Sequence, residues 1–243
     1  MPSYAYNTLT ITCKNKAERN AVQAFVLGDE DVFDFDRIIP MPKCLDIVAR
    51  GDSEAALAAF CLTNSLPLPK AAPCLSQRSL QDGDEFLAAH CAEASKKDLA
   101  YGKMIYDNLK QTGYMTWYEW RIDKWGTKWS AYATSVEVSG DTELLFHFDT
   151  AWCAPEPVIE ELSRRFPEAE FVLDTDYEGG DPATLLVYRN GQCVKRQTLE
   201  MLIVGSDGKI YNTWDDLPDG VDGDLVREDE AEDAVKGYKR DAV

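Results

Sequence analysis

The sequence predicts an α+β fold in which an antiparallel sheet carries two helices on one face. Three observations predict it. Apolar residues alternate with a period of two in four separate stretches, the mark of half-buried strands, and they recur at helical spacing in two others. Between these sets lies a long segment with no strand period, which reads as a helical insertion after the first helix.

The first strand is residues 8–13, with Leu9, Ile11 and Cys13 on one face and Thr8, Thr10 and Thr12 on the other. Asn15 followed by Glu18 resembles a helix-capping box, and Ala17, Ala21, Val22, Phe25 and Val26 form an apolar stripe that stops at Gly28. Phe33 and Phe35 alternate with Asp34 and Asp36 before Pro40 and Pro42, which exclude a continuing helix or central strand. The insertion spans about 44–129. It is read as an Ala-rich helix over 53–62, a Pro-containing connector over 66–73, and a longer helix over 84–110 that stops at Gly113. Tyr114, Trp117, Tyr118, Trp120, Trp125 and Trp129 then crowd together, holding four of the six tryptophans.

From Ala131 the period returns to two. Tyr132, Thr134, Val136 and Val138 are placed on one face, Gly140-Asp141 makes a turn, and Leu144, Phe146 and Phe148 return. Val158, Ile159, Leu162 and Phe166 form a helical stripe after Pro155, and Phe171, Leu173, Thr175 and Tyr177 alternate in another strand. A last hairpin, 183–189 and 192–204, turns at Asn190-Gly191. Without the insertion the order is β-α-β-β-α-β, the ferredoxin-like unit, with further strands appended. Residues 1–204 are read as one such domain and 205–243 as an acidic, solvated C-terminal extension.

Several stretches occur together: Tyr6-Asn7-Thr8-Leu9-Thr10-Ile11, Phe35-Asp36-Arg37-Ile38-Ile39-Pro40-Met41-Pro42, Trp117-Tyr118-Glu119-Trp120-Arg121-Ile122 and Trp125-Gly126-Thr127-Lys128-Trp129. Phe148-Asp149-Thr150-Ala151-Trp152, Leu162-Ser163-Arg164-Arg165-Phe166-Pro167 and Tyr177-Glu178-Gly179 follow. In this combination and order, over about 4–190, the chain resembles the YubB-like or Api92-like family of conjugative plasmids and phages. The resemblance implies a ferredoxin-like domain and a bacterial or phage-infected cytoplasm. It implies no catalytic activity, since the family has none established.

Charge and composition narrow the function. The chain has 43 acidic against 25 basic residues, a formal charge of -18, which argues against direct DNA binding because phosphate contacts need Lys and Arg. Only two histidines are present, His90 and His147, so multi-histidine metal or catalytic sites are disfavoured. Seven scattered cysteines without a Cys-x-x-Cys pair suit reduced thiols, and no run is long and apolar enough to span a bilayer, so a cytoplasmic location is expected. Cys61, Cys74, His90 and Cys91 match no common zinc spacing.

Two constellations remain as candidate sites. Trp125, Lys128, Trp129 and Trp152 could form an aromatic and cationic binding platform, although tryptophans flanking a glycine more often staple secondary structure together. Asp174, Asp176 and Glu178 share one strand face and, with Asp149, could hold magnesium for nucleotide chemistry, but no phosphate-binding loop accompanies them. The leading expectation is therefore a non-enzymatic accessory protein, with no cofactor, that binds and inhibits a host protein with a basic or nucleic-acid-binding surface. The alternatives are a magnesium-dependent nucleotide-processing enzyme and a small-ligand, nucleotide-binding protein.

Overall fold

In the computed structural model, which describes residues 3–29, 31–67, 69 and 95–241, the described residues run in order through the following strands and α-helices. Strand β1 (Tyr4–Thr12), helix α1 (Lys16–Val26) and the short α2 (Phe35–Ile38) come first. Helices α3 (Ser53–Thr63), α4 (Lys96–Thr112) and α5 (Trp117–Trp125) follow. Then come β2 (Tyr132–Ser139), β3 (Glu143–Ala151), α6 (Glu156–Arg165), β4 (Glu170–Tyr177), β5 (Ala183–Arg189) and β6 (Gln192–Leu199). The last are β7 (Met201–Gly205), β8 (Ile210–Tyr211), β9 (Gly223–Arg227) and α7 (Ala231–Asp241). They fall into two compact units, one of residues 1–38 and 129–243 and the other of residues 39–128.

The first unit is built on a six-stranded antiparallel sheet of order β2-β3-β1-β4-β5-β6. Its β2-β3-β1-β4 portion, with α1 and α6 as the connecting helices, is the ferredoxin-like arrangement, and β5 and β6 extend it. One face buries Leu9, Ile11, Phe146, Phe148, Phe171 and Leu173 completely or nearly so, against Val22, Val26, Val158, Ile159 and Leu162 of the two helices. Phe33 closes this core, its ring 5.1 Å from Phe146 and 4.9 Å from Phe148. That placement explains the phenylalanine and aspartate alternation before the prolines. Asn15 caps α1 by accepting from the Glu18 N–H at 3.0 Å, while the Glu18 carboxylate takes the N–H of Lys14 rather than that of Asn15.

Two sequence expectations are corrected. Residues 205–243 do not form a solvated tail: β7, β8 and β9 make a second antiparallel sheet of order β8-β7-β9, and α7 packs on β7 and β9. The expected strand 192–204 is broken at Glu200, so that β6 stays in the main sheet and β7 starts the new one, with Ile203 and Val204 buried. The second correction is in β2. A one-residue register shift between Tyr132 and Ser135, where Ala133 adopts φ +51°, turns Tyr132 to the opposite face from Val136 and Val138.

In the second unit, α3 and α4 pack at close range because Gly102 of α4 lies where any Cβ would come 2.1 Å from the Ala56 carbonyl oxygen. Leu57, Cys61, Tyr101, Ile105, Leu109 and Met115 form the core there. The expected long helix over 84–110 is described from Lys96 onward; its 84–94 portion, like Cys74, His90 and Cys91 of the zinc reading, lies outside the described residues. Trp117, Tyr118, Trp120 and Trp125 of the aromatic cluster lie on one helix, α5, whose Thr116 and Glu119 form a reciprocal capping box and whose end is set by Gly126 at φ +75°. Among the described residues no helix is long and apolar enough to cross a membrane.

Candidate functional site

The face of the main sheet turned away from α1 and α6 carries one continuous row of side chains. Pairing registers place Tyr132 of β2, Asp149 of β3, Tyr6 of β1 and Asp176 of β4 side by side. Neighbours in such a row stand about 4.5–5.5 Å apart at Cα. Tyr4, two residues before Tyr6, meets Tyr132 edge to face with ring centroids 5.7 Å apart. In the next row His147, Thr8 and Asp174 align, with Thr8 Oγ1 3.2 Å from His147 Nδ1.

Asp149 is half-buried and, among the described residues, its carboxylate has neither an ion-pair partner nor a side-chain hydrogen bond. Burial alone pushes its pKa above the usual aspartate value. Tyr132 beside it is comparably unfulfilled. Its Oη is buried without a hydrogen-bond partner, and burial, with Tyr4, Asp149, Tyr6 and Glu178 close by, pushes its ionisation up to about 12. Buried polar atoms are nearly always paired, so an unpaired hydroxyl beside an uncompensated carboxylate marks a place that lacks a donor or cation. Tyr6, 46% exposed, offers an aromatic surface on the other side of Asp149. A carboxylate flanked by two tyrosines is chemically matched to a guanidinium or ammonium group, which gains a charge-assisted hydrogen bond and cation–π contact together.

The other end of the face is already filled in this way. Arg227 of β9 reaches across so that Nη1 lies 2.8 Å from Asp174 and 3.5 Å from Asp176, and Nη2 lies 3.2 Å from Asp229. Its side chain is only 12% exposed. The molecule thus satisfies one half of its acidic face with its own arginine and leaves Asp149 open. Burial raises Asp176 as well, against the opposing pull of Arg227.

A buried amide fixes the geometry underneath. Asn7, which follows Tyr6 and points into the core, shares its Nδ2 hydrogens among the Ala5 carbonyl at 3.0 Å, the Phe148 carbonyl at 3.2 Å and Thr150 Oγ1 at 2.9 Å. Its Oδ1 accepts from Thr175 Oγ1 at 3.0 Å. One side chain therefore ties β3, β1 and β4 together one residue away from the Asp149-Tyr6-Asp176 row.

The metal-ligand set expected from strand alternation is not assembled. Asp174 and Asp176 are held by Arg227, and Glu178 accepts from the Tyr4 backbone N–H at 2.9 Å. Among the described residues no group of three or more His, Cys, Asp or Glu side chains is placed to hold a metal ion. The aromatic candidates differ in exposure. Trp125 is 1% exposed, its Nε1 donates to the Ile39 carbonyl at 3.0 Å and its ring stands edge-on to Trp120, so it packs α5 rather than presenting a face. Lys128 lies 5.8 Å from the Tyr118 ring centroid and lines a concavity of about 450 Å³ in the second unit, with Arg50, Trp117 and Glu119. Arg50 is committed there to Asp52 and Asp98, at 2.6 and 2.8 Å. Trp129 and Trp152 belong to the first unit, where Trp129 is half-buried and Trp152, at φ +70°, is 39% exposed.

Tyr132, Tyr6, Tyr4 and Arg227 are absent from the candidates that the sequence suggests. Tyr4 and Tyr6 do alternate with the core residues of β1, but Tyr132 joins them only because of the β2 bulge, and Arg227 only through the fold of the second sheet.

Strand order, register and helix placement define a ferredoxin-like α+β domain with an elaborated sheet. The family model described as "Ferredoxin-like domain in Api92-like protein" matches residues 124–201. A crystal structure of the protein api92 from Yersinia pseudotuberculosis is similar, at 15% sequence identity and a TM-score of 0.45, covering 82% of this chain and 98% of that one. No curated protein matches the chain.

Proposed function

We propose that this chain is a non-enzymatic binding protein that uses the tyrosine-flanked Asp149 to take an arginine or lysine from the basic surface of a partner protein. In the setting implied by the mobile-element resemblance, the partner is a host factor that normally grips nucleic acid, and occupation of its basic surface inhibits it. The observation that carries the reading is Asp149 itself, a desolvated carboxylate without a cation, in the same row as an aspartate that the chain's own Arg227 already occupies. The formal charge of -18 supports it by drawing a basic partner in over a distance.

Calorimetric titration with a synthetic arginine-rich peptide tests the reading. Any chain this acidic attracts such a peptide, so the comparison is between two substitutions that remove the same charge. Asp149→Asn, or Tyr6→Ala, is expected to weaken binding at least about fivefold, the scale of a charge-assisted bond in a partly desolvated site. Asp219→Asn, on an exposed loop, is expected to change it less than about twofold. Equal effects from Asp149→Asn and Asp219→Asn would refute the site.

A further inference from the structure

The outer edge of β2 is a second surface with unmet bonding capacity. β2 ends the six-stranded sheet, and among the described residues its only strand neighbour is β3. Edge strands are commonly blunted by Lys, Arg or Pro. The opposite edge, β6, has Lys195 and Arg196, whereas Tyr132–Ser139 contains no Lys, Arg or Pro. At the start of β2 the Val32 N–H donates to Thr134 Oγ1 at 3.4 Å, so the loop after α1 lies against that end. From Ser135 to Ser139 the pairing with β3 is regular and, among the described residues, no strand pairs with the outer side.

The two sides of this edge differ chemically. On the helix side Val136 and Val138 pair with Phe146 and Leu144, and Val136 is partly buried while Val138 is exposed. Val138 is 49% exposed, and Leu27 at the end of α1 is 50% exposed. A groove of about 250 Å³ remains, lined by Asn20, Gln23, Ala24, Leu27, Val32 and Val136. On the other side of the strand stands Glu137, exposed and paired in register with Leu145. A strand laid beside β2, about 4.8 Å away, would direct alternate side chains into the groove and towards Glu137.

We propose that this edge receives an extended segment of the protein partner by strand addition, a segment in which apolar residues alternate with Lys or Arg. Main-chain hydrogen bonds to 135–139 supply affinity, the groove selects the apolar residues and Glu137 selects the basic ones. The assignment of the basic residues rests on the proposed binding of a basic protein partner. A second copy of this chain fits poorly, because pairing two β2 edges would bring together two Glu137 side chains and two chains of charge -18.

The test uses the peptide Lys-Val-Lys-Val-Lys-Val-Lys-Val and the full chain. Amide hydrogen exchange at 135–139 is expected to slow at least fivefold on peptide addition. Leu27→Asp and Glu137→Lys are each expected to weaken peptide binding at least fivefold, with unchanged circular dichroism, while Asp219→Asn, on an exposed loop, leaves it within twofold. Unchanged exchange at 135–139, or indifference of binding to both edge substitutions, overturns the strand-addition site. Either result leaves the Asp149 reading to its own titration with the arginine-rich peptide, so the two can fail separately. Formation of a dimer that Glu137→Lys abolishes, seen by sedimentation, overturns the choice of occupant.

Discussion

At the scale of single residues, Asp149 gives up stability. Burial raises its pKa in the native state above the ordinary aspartate value, so the folded chain holds this proton more tightly than the unfolded chain does. The sign of the linkage follows. Stability is highest while Asp149 is protonated, falls as the pH rises from the usual aspartate range through the folded value, and stays lower above it. Asp149→Asn is therefore expected to raise Tm at pH 7 by about 1–3 °C, and the gain should vanish below about pH 3.5, where the wild-type carboxyl is neutral. Scanning calorimetry at the two pH values checks this. A lower Tm for the variant at pH 7 would mean that the carboxylate supports the fold, which would remove the physical basis for assigning it to a partner. Natural sites often retain such a residue because function requires it. From sequence Asp149 is one carboxylate among many; the missing information is what stands beside it, which only the pairing of β3 with β1 and β2 supplies.

At the scale of elements, strands and helices with clean periodicity were legible and two irregular elements were not. β1, β3 and β4 show their core faces as alternation, and the structure buries Leu9, Ile11, Leu144, Phe146, Phe148, Phe171 and Leu173; of the α1 stripe it buries Val22 and Val26 and leaves Ala17 and Ala21 exposed. Helix α5 was hidden because Trp and Tyr dominate it and blur an apolar stripe. Thr116, Glu119 and Gly126 were its available signals, a capping box at one end and a left-handed residue at the other. The β2 bulge was hidden for a different reason: a period-two pattern assigns Tyr132 and Val136 to one face, and only an extra residue in the ladder separates them. The second sheet is hidden in the sequence because Met201–Val204 read as the continuation of the strand from Gln192, and the acidic composition after them masks β8 and β9. Arg227 joins that sheet to β4. Arg227→Ala would leave Asp174, Asp176 and Asp229 facing one another without a cation, and we expect a loss of about 1–2 kcal/mol, modest because Asp176 is half exposed. Hydrogen exchange should accelerate in 201–227 ahead of the main sheet; uniform acceleration, or none, would count against Arg227 as the specific tie.

At the scale of the whole molecule, the charge of -18 argues against ordinary nucleic-acid binding but does not by itself select a partner. In the proposed reading, selection comes from local chemistry on the first unit, where the tyrosine-flanked carboxylate and the edge of β2 would both favour a basic, extended protein segment. The charge and the site therefore have separate roles, the first in attraction over distance and the second in discrimination. The most direct measurement is an NMR titration of the Asp149 carboxyl carbon in the free chain and with saturating arginine-rich peptide. A cation seated on the carboxylate must lower its pKa, and one unit corresponds to about 1.4 kcal/mol, or tenfold in affinity between the two ionisation states. The expected result is a raised value in the free chain that falls by about one unit or more in the complex. A value unchanged by the bound peptide would contradict it, because the peptide's charge would then be resting elsewhere on the acidic surface.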